Sequence, residues 1–153
     1  MSKPRKLFVI ITFFLAFTLM CMIFILSNQP AVQSSELSGS IIKKILELIG
    51  INISQLLIRK AAHACEFCLL AFLFSNLFSL CENKKWHVFS FVSTVLYACT
   101  DEIHQIFIPG RAGRVSDILI DAAGALVGIA VYYLIIKIIQ TVRRKKDVRN
   151  TSV

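Results

Sequence analysis

Charged residues are scarce in this chain of 153 residues, since Asp, Glu, Lys and Arg together make up 17% of it. A disordered chain needs many like charges and few apolar side chains, so this composition excludes disorder. Three prolines and six glycines are too few for a collagen-like or low-complexity chain. Hydrophobic residues make up 56%, more than is usual in soluble domains. The composition predicts a single-domain membrane protein.

Acidic residues are also few, and the formal net charge is +8. The basic residues cluster at the chain ends and between apolar runs without interleaved aromatic residues, which indicates membrane orientation signals and argues against nucleic-acid binding. The five cysteines are odd in number and mostly lie in or beside apolar runs, so no disulfide framework is expected. Small buried side chains are the favoured interpretation for all five, and Cys65-x-x-Cys68 is only a weak hint of redox or metal chemistry.

Four apolar runs are long enough to cross a bilayer, which requires about 20 helical residues. Spans are predicted at residues 7–26, 61–80, 88–108 and 118–139, with a loop at 27–60 and a basic tail at 140–153. The first run is longer than a signal-peptide core and no small-x-small cleavage site follows it, so an uncleaved span is expected. The predicted fold is an all-α integral membrane four-helix bundle forming one domain over residues 1–153.

The distribution of Lys and Arg sets the expected orientation, because cytoplasmic loops retain these residues. With the N-terminus inside, ten of them fall on the cytoplasmic side and six on the outer side, while Lys137 can reach the inner interface. The prediction is a multi-pass protein of the bacterial cell membrane with both termini in the cytoplasm. Membrane lipids are its expected surroundings.

The long outer loop contains a helical pattern. Leu37, Ile41, Ile45, Leu48 and Ile49 recur at helical spacing, and Gly50 follows as a stop signal. The pattern predicts a short amphipathic helix that lies on the outer membrane surface or caps the bundle.

Polar residues within the spans are not scattered. In the predicted topology they all fall in the outer turns of spans two, three and four, and residues three or four apart share a helix face. Such residues in a membrane span usually face the bundle interior and suggest a functional site. The predicted binding residues from the spans and their borders are Arg59, Lys60, His63, Glu66, Asp101, Glu102, His104, Gln105, Asp117 and Asp121.

Two pairs in this set oppose their own helix dipoles, since Arg59 and Lys60 begin span two while Asp101 and Glu102 end span three. Pairing across the bundle, or a ligand that carries both charge signs, would relieve them. Asp117 has a second interpretation as the N-cap of span four.

The connection between spans three and four contains Pro109, Gly110, Arg111 and Arg114. Its glycines allow backbone N–H groups to approach an anion and Arg111 supplies charge, so Arg111 joins the predicted site; a simple tight connection is the alternative. Gly124 and Gly128 form a small-xxx-small face that predicts close helix packing, and an oligomer through this face is a further possibility.

Three blocks of this sequence resemble the VanZ-like family of bacterial membrane proteins. They are the segments Arg59 to Glu66, Asp101 to Arg111 and Ser116 to Gly124, and Ser27-Asn28-Gln29-Pro30 also fits. The resemblance runs from about Leu7 to about Lys137. It implies several transmembrane helices and an association with low-level resistance to teicoplanin, a lipid-bearing glycopeptide antibiotic. Cys65 and Cys68 depart from the aromatic or aliphatic residues expected at their positions.

Three functions are consistent with the sequence. The first is a binding protein of the outer leaflet that takes a lipoglycopeptide or a lipid-linked cell-wall precursor, with a role in glycopeptide resistance or envelope homeostasis. The second is a membrane-embedded enzyme acting on a lipid-linked substrate. Its carboxylates and imidazoles, which include His63, Glu66, Asp101, His104 and Asp121, could bind a divalent metal or act as general base and acid. The third is an assembly protein whose polar cluster is a structural ion-pair network. No cofactor is predicted outside the enzyme alternative.

Overall fold

The structure, a computed structural model, describes residues 3–29 and 54–151. All regular structure in these two ranges is α-helical, as predicted for the fold class. The helices are α1 (Lys3–Ser27), α2 (Gln55–Leu80), α3 (Trp86–Gln105) and α4 (Val115–Thr151). The amphipathic helix predicted in the loop at 27–60 lies outside the described residues.

Helix boundaries differ from the predicted spans for local reasons. The α2 helix begins at Gln55 and not at residue 61, because the Ser54 hydroxyl accepts a hydrogen bond from the Leu57 N–H and caps the polar first turns. The α3 helix ends at Gln105 and not at residue 108, because the chain turns before Pro109 and Gly110, whose φ is 77°. The α4 helix continues through the basic segment to Thr151.

Successive helices run antiparallel, and contacts at both ends of the bundle establish this. At one end, Arg5 near the start of α1 donates to the Leu80 carbonyl oxygen at the end of α2 and pairs with Glu82. At the other end, Ser27 finishing α1 contacts Asp101 in the last turns of α3. The α2 helix lies in the middle and contacts each of the other three.

The α2 and α4 helices form the most extensive interface of the bundle. A Cβ added at Gly124 would collide with the Ala64 carbonyl oxygen, and one at Gly128 with that of Cys68, so these backbones pack closer than side chains would allow. The close packing predicted for this glycine face therefore occurs within the chain. Because α2 already fills the face, an oligomer would have to use another surface.

Three of the described helices, α1, α2 and α4, are long and apolar enough to cross a membrane. The α3 helix falls short because polar residues occupy one of its faces. Its buried residues are Ser90, Thr94, Ala98, Asp101, Glu102 and Gln105. Its other face is apolar and exposed at Val88, Val92, Leu96 and Ile103. This arrangement suits a helix that turns small and polar side chains inward and apolar side chains toward lipid.

Candidate functional site

The candidate site lies where α1 and α3 end and α2 and α4 begin. His63 is at its centre on the third turn of α2. Its Nδ1 atom lies 3.1 Å from Glu66 Oε2 and its Nε2 atom lies 3.1 Å from Asp101 Oδ2. Asp121 Oδ2 of α4 is 3.7 Å from the same Nε2. The imidazole thus stands among carboxylates from three helices.

Asp101 is the most heavily hydrogen-bonded of these carboxylates. Its Oδ2 atom accepts from Ser27 Oγ at 2.9 Å and from Gln105 Nε2 at 2.8 Å, in addition to its contact with His63. Only 3% of the residue is exposed, and Oδ1 has no hydrogen-bond partner among the described residues. Side chains from α1, α2 and α3 converge on one oxygen, so Asp101 holds these helix ends together.

Glu102, the next residue, faces the connection between α3 and α4. Its Oε2 atom accepts from the Arg114 backbone N–H at 2.8 Å. A Cβ added at Gly113 would lie 2.5 Å from the Glu102 carbonyl oxygen, so only glycine lets the connection pass this close to the end of α3. The connection is therefore folded against the site.

Lys60 in the second turn of α2 and Asp117 in the first turn of α4 form an ion pair. Because α2 begins at Gln55, Lys60 does not lie at the helix N-terminus as predicted, so it opposes the helix dipole only weakly, and Asp117 balances its charge. Because α4 begins at Val115, Asp117 lies inside its first turn and not at the N-cap position. A negative charge is favourable there as well.

Arg111 secures the end of α1. Its Nε donates to the Gln29 carbonyl oxygen at 2.9 Å, and a terminal guanidinium nitrogen donates to that of Leu26 at 3.2 Å. The cation thus satisfies carbonyl groups that a helix C-terminus leaves unpaired. Partial burial lowers the pKa of Arg111, with the nearby Arg59 acting in the same direction. Arginine nevertheless remains protonated in proteins.

His104 is the predicted site residue that the structure places apart from the others. Its ring stacks on Phe24 of α1, with 4.4 Å between ring centroids. Its side chain lines neither of the two pockets that open beside His63. Its Nε2 is buried and has no hydrogen-bond partner among the described residues. His104 therefore contributes to the contact between α1 and α3.

Two adjoining pockets open at the cluster. The first is a small cleft that contains cations and anions on one surface. Its polar lining consists of Arg59, Lys60, His63, Glu102, Gln105, Arg111, Asp117 and Asp121. The second reaches Glu66 and Ser27 and shares Arg59, His63 and Arg111 with the first. Together the two pockets present both hydrogen-bond donors and acceptors to a polar group.

A protein-family model identifies the family of this chain. The family model described as VanZ/LLP1 matches residues 12–137, which is most of the chain. The chain belongs to the VanZ/LLP1 family. With its apolar helices, it is a VanZ-like membrane protein. Searches of curated proteins and of solved structures find no match.

The region shared with the VanZ/LLP1 family contains every predicted site residue. Sequence reasoning left three contributors unassigned: the Ser27 hydroxyl, the carbonyl groups of Leu26 and Gln29, and the Arg114 N–H. The segment from Ser27 to Pro30 is part of the family resemblance, and this is the feature of the sequence that indicates a role for Ser27. The backbone groups carry no residue-specific signal.

Proposed function

We propose that this VanZ-like protein binds a lipid-linked molecule at the outer leaflet of the bacterial cell membrane. The ligand is a lipid-linked cell-wall precursor with an anionic headgroup, or a lipoglycopeptide such as teicoplanin. Binding contributes to envelope homeostasis or to glycopeptide resistance. The observation that carries the proposal is the pocket that combines Arg59, Lys60 and Arg111 with Glu102 and Asp121.

Arg59 is the best candidate for the anion contact. It lines both pockets and has no hydrogen-bond partner among the described residues, whereas Lys60 pairs with Asp117 and Arg111 binds the end of α1. A guanidinium group suits phosphate or carboxylate because it offers parallel N–H donors. Carboxylates on the opposite wall suit the amide, hydroxyl or amine groups of the same ligand.

Apolar side chains beside the site suit an acyl chain. Ile106 and Phe107 follow the end of α3 and are 61% and 77% exposed. Val115 and Leu119 lie one turn apart at the start of α4 and are 74% and 67% exposed. A lipid tail could run along these residues while its headgroup occupies the pocket.

The proposed topology has all four helices crossing the membrane and both termini in the cytoplasm. The exposed apolar face of α3 and the antiparallel helix order support four crossings. The excess of Lys and Arg near the termini and in the connection that contains Lys84 and Lys85 supports the orientation. In this topology the two pockets open toward the outer leaflet.

The experiment is ligand binding by the purified chain in lipid nanodiscs. The probes are teicoplanin, a glycopeptide without an acyl chain, and a lipid-linked wall precursor. Arg59→Gln should weaken binding of an anionic lipid-linked probe at least about tenfold, as expected when a charged contact worth about 1.4 kcal/mol is lost. Lys84→Gln, at the opposite end of the bundle, is the matched control and should bind normally.

Binding of neither lipid-linked probe would overturn the proposal, as would equal binding by wild type and Arg59→Gln. In a sensitive Gram-positive host, expression of a binder should raise the inhibitory concentration of teicoplanin if the drug is the ligand. Membrane abundance of each variant must match the wild type in this assay. Stronger binding of the precursor would instead assign the role to envelope homeostasis.

An enzyme acting on a lipid-linked envelope substrate is the second candidate. The observation that favours it is the orientation of His63 between Glu66 and Asp101 at the pocket wall, since an imidazole held by a carboxylate is a common general base. Turnover of the lipid-linked precursor, lost in His63→Gln while binding persists, would place this candidate first. Binding without turnover would leave the binding protein as the conclusion.

A further inference from the structure

His63, Glu102 and Asp121 come from three different helices and converge in the first pocket. Each offers one ligand atom, and these atoms all lie within 4.8 Å of one another. We propose that they form a binding site for a divalent transition-metal ion of the Zn²⁺ or Mn²⁺ type. This set differs from the one considered for the enzyme alternative, because it includes Glu102 and excludes Glu66, Asp101 and His104.

Asp121 provides an independent indication. It is 1% exposed, lines the pocket, and its Oδ2 atom has no hydrogen-bond partner among the described residues. An unsatisfied buried carboxylate oxygen is costly, particularly where little water is present. A cation bound at this oxygen would remove that cost.

The orientation of His63 is suitable for a ligand. With a metal ion bound, Nδ1–H would donate to Glu66 and the lone pair of Nε2 would bind the ion beside Asp121, in place of the present 3.1 Å contact of Nε2 with Asp101 Oδ2. Carboxylates commonly hold metal-binding histidines in this way. Two ligands about 2.0 Å from a tetrahedral ion lie about 3.3 Å apart. Since Nε2 and Oδ2 are 3.7 Å apart, a small inward movement would complete the geometry.

Glu102 is held by a comparable outer contact. The Arg114 N–H donates to Oε2 and leaves the other carboxylate oxygen available. The donor set of one imidazole nitrogen and two carboxylate oxygens suits Zn²⁺ or Mn²⁺ better than Mg²⁺ or Ca²⁺, which prefer oxygen ligands alone. Three protein ligands would leave a coordination position open to the pocket.

The balance of charges around the site also favours a bound divalent cation. Within the described part of the site, Glu66, Asp101, Glu102 and Asp121 carry four potential negative charges. Arg59 and Arg111 supply two positive charges, Lys60 is paired with Asp117, and His63 is counted as neutral because a metal-binding imidazole is deprotonated. A divalent ion would neutralise the difference in a region where unbalanced charge is expensive.

The test is metal binding by the full chain, purified in detergent and stripped with a chelator. Calorimetric titration with Zn²⁺ and electron paramagnetic resonance of added Mn²⁺ should each report one ion per chain. Asp121→Asn and Glu102→Gln should each weaken binding by at least about 100-fold, because each removes a direct ligand. Glu82→Gln, a carboxylate-to-amide change at the opposite end of the bundle, is the matched control and should bind normally.

A wild-type chain that binds neither ion overturns the proposal. So does equal weakening in Glu82→Gln, which would indicate a diffuse electrostatic effect, or normal binding in both ligand variants. Glu102→Gln serves as the second variant because its hydrogen bond from the Arg114 N–H can persist in the amide. These titrations use no organic ligand, so their outcome is independent of the proposed lipid-linked ligand.

Discussion

Ser27 donates a hydrogen bond to Asp101 across 74 residues of sequence, and both side chains are buried. The bond joins the last residue of α1 to the last turns of α3, next to His63. Together with the stacking of His104 on Phe24, this polar link joins the end of α1 to α3 beside the site. The end of α1 is therefore part of the site's structure.

Ser27→Ala should destabilise the folded protein by about 1 kcal/mol, the net value of one buried hydrogen bond. The loss should stay moderate because His63 and Gln105 still contact the same oxygen of Asp101. Unfolding by denaturant in detergent micelles measures the change. The control is Ser116→Ala, which removes an exposed hydroxyl near the same end of the bundle and should be neutral. Equal effects of the two changes would contradict the assigned role of Ser27.

Gly128→Ala should destabilise the protein by about 1–3 kcal/mol, the usual cost of overpacking. The new methyl group would meet the Cys68 carbonyl oxygen, a backbone atom that cannot move without shifting α2. Leu126→Ala in the same helix alters a side chain that is 56% exposed, and it should be much better tolerated. Thermal unfolding of the two variants in one detergent makes the comparison. A fully stable Gly128→Ala protein would argue against the close contact between α2 and α4.

Arg111→Lys should cost about 1–2 kcal/mol although it keeps the positive charge. An ammonium group cannot reproduce the fork by which the guanidinium contacts both Leu26 and Gln29. Disulfide trapping would detect the loosened end of α1 independently of stability, using cysteines introduced at Leu26 and Ala112. Faster trapping in Arg111→Lys is the expected result. Unchanged stability and trapping would show that the charge alone is sufficient.

The ion pair between Arg5 and Glu82 should make a small, pH-dependent contribution at the other end of the bundle. The hydrogen bond from Arg5 lowers the pKa of Glu82 below its ordinary value. The stabilisation is therefore fully present above the unfolded pKa of about 4.3 and is lost as pH falls through the lower folded value.

The pH test compares wild type with Glu82→Gln, so that other carboxylates titrating in the same range cancel. The difference in melting temperature should be constant above about pH 5 and should shrink at lower pH. It should also vanish at every pH in an Arg5→Gln background. A difference that grows on acidification would have the wrong sign for this contact.

Orientation can be tested with Cys81, which is exposed in the connection between α2 and α3. In a chain whose other cysteines are replaced by Ala, a membrane-impermeant maleimide should label Cys81 in inverted vesicles and not in intact cells. Ala112→Cys, placed in the connection at the opposite end, should label in intact cells once Cys81 is also replaced. The reverse pattern would invert the proposed topology and turn the site toward the cytoplasm.

The helices could be predicted because each apolar run is about as long as a membrane span, even where a few polar residues lie within it. Their ends were less predictable, since the cap at Ser54 and the turn before Pro109 depend on a few local contacts. The His63 and Glu66 pair could be predicted because it lies within one helix.

Contacts between helices were harder to predict. They depend on how each helix is rotated about its axis, which packing decides. The pairing of Lys60 with Asp117 and the stacking of His104 on Phe24 are therefore visible only in the structure. The use of backbone carbonyl groups by Arg111 is invisible in sequence for a similar reason, because every residue has such a group.

The polar face of α3 has a consequence for how the protein is made. Ser90, Thr94, Asp101 and Glu102 are buried because the other helices cover them. If α3 entered the bilayer alone, these groups would be exposed to hydrocarbon. This exposure disfavours both the insertion of α3 and its retention in the membrane. We expect α3 to insert together with α2 as a helical hairpin. The α4 helix would then pack against this hairpin while all three helices are near the translocon. The order of biogenesis would then follow from the same residues that build the site.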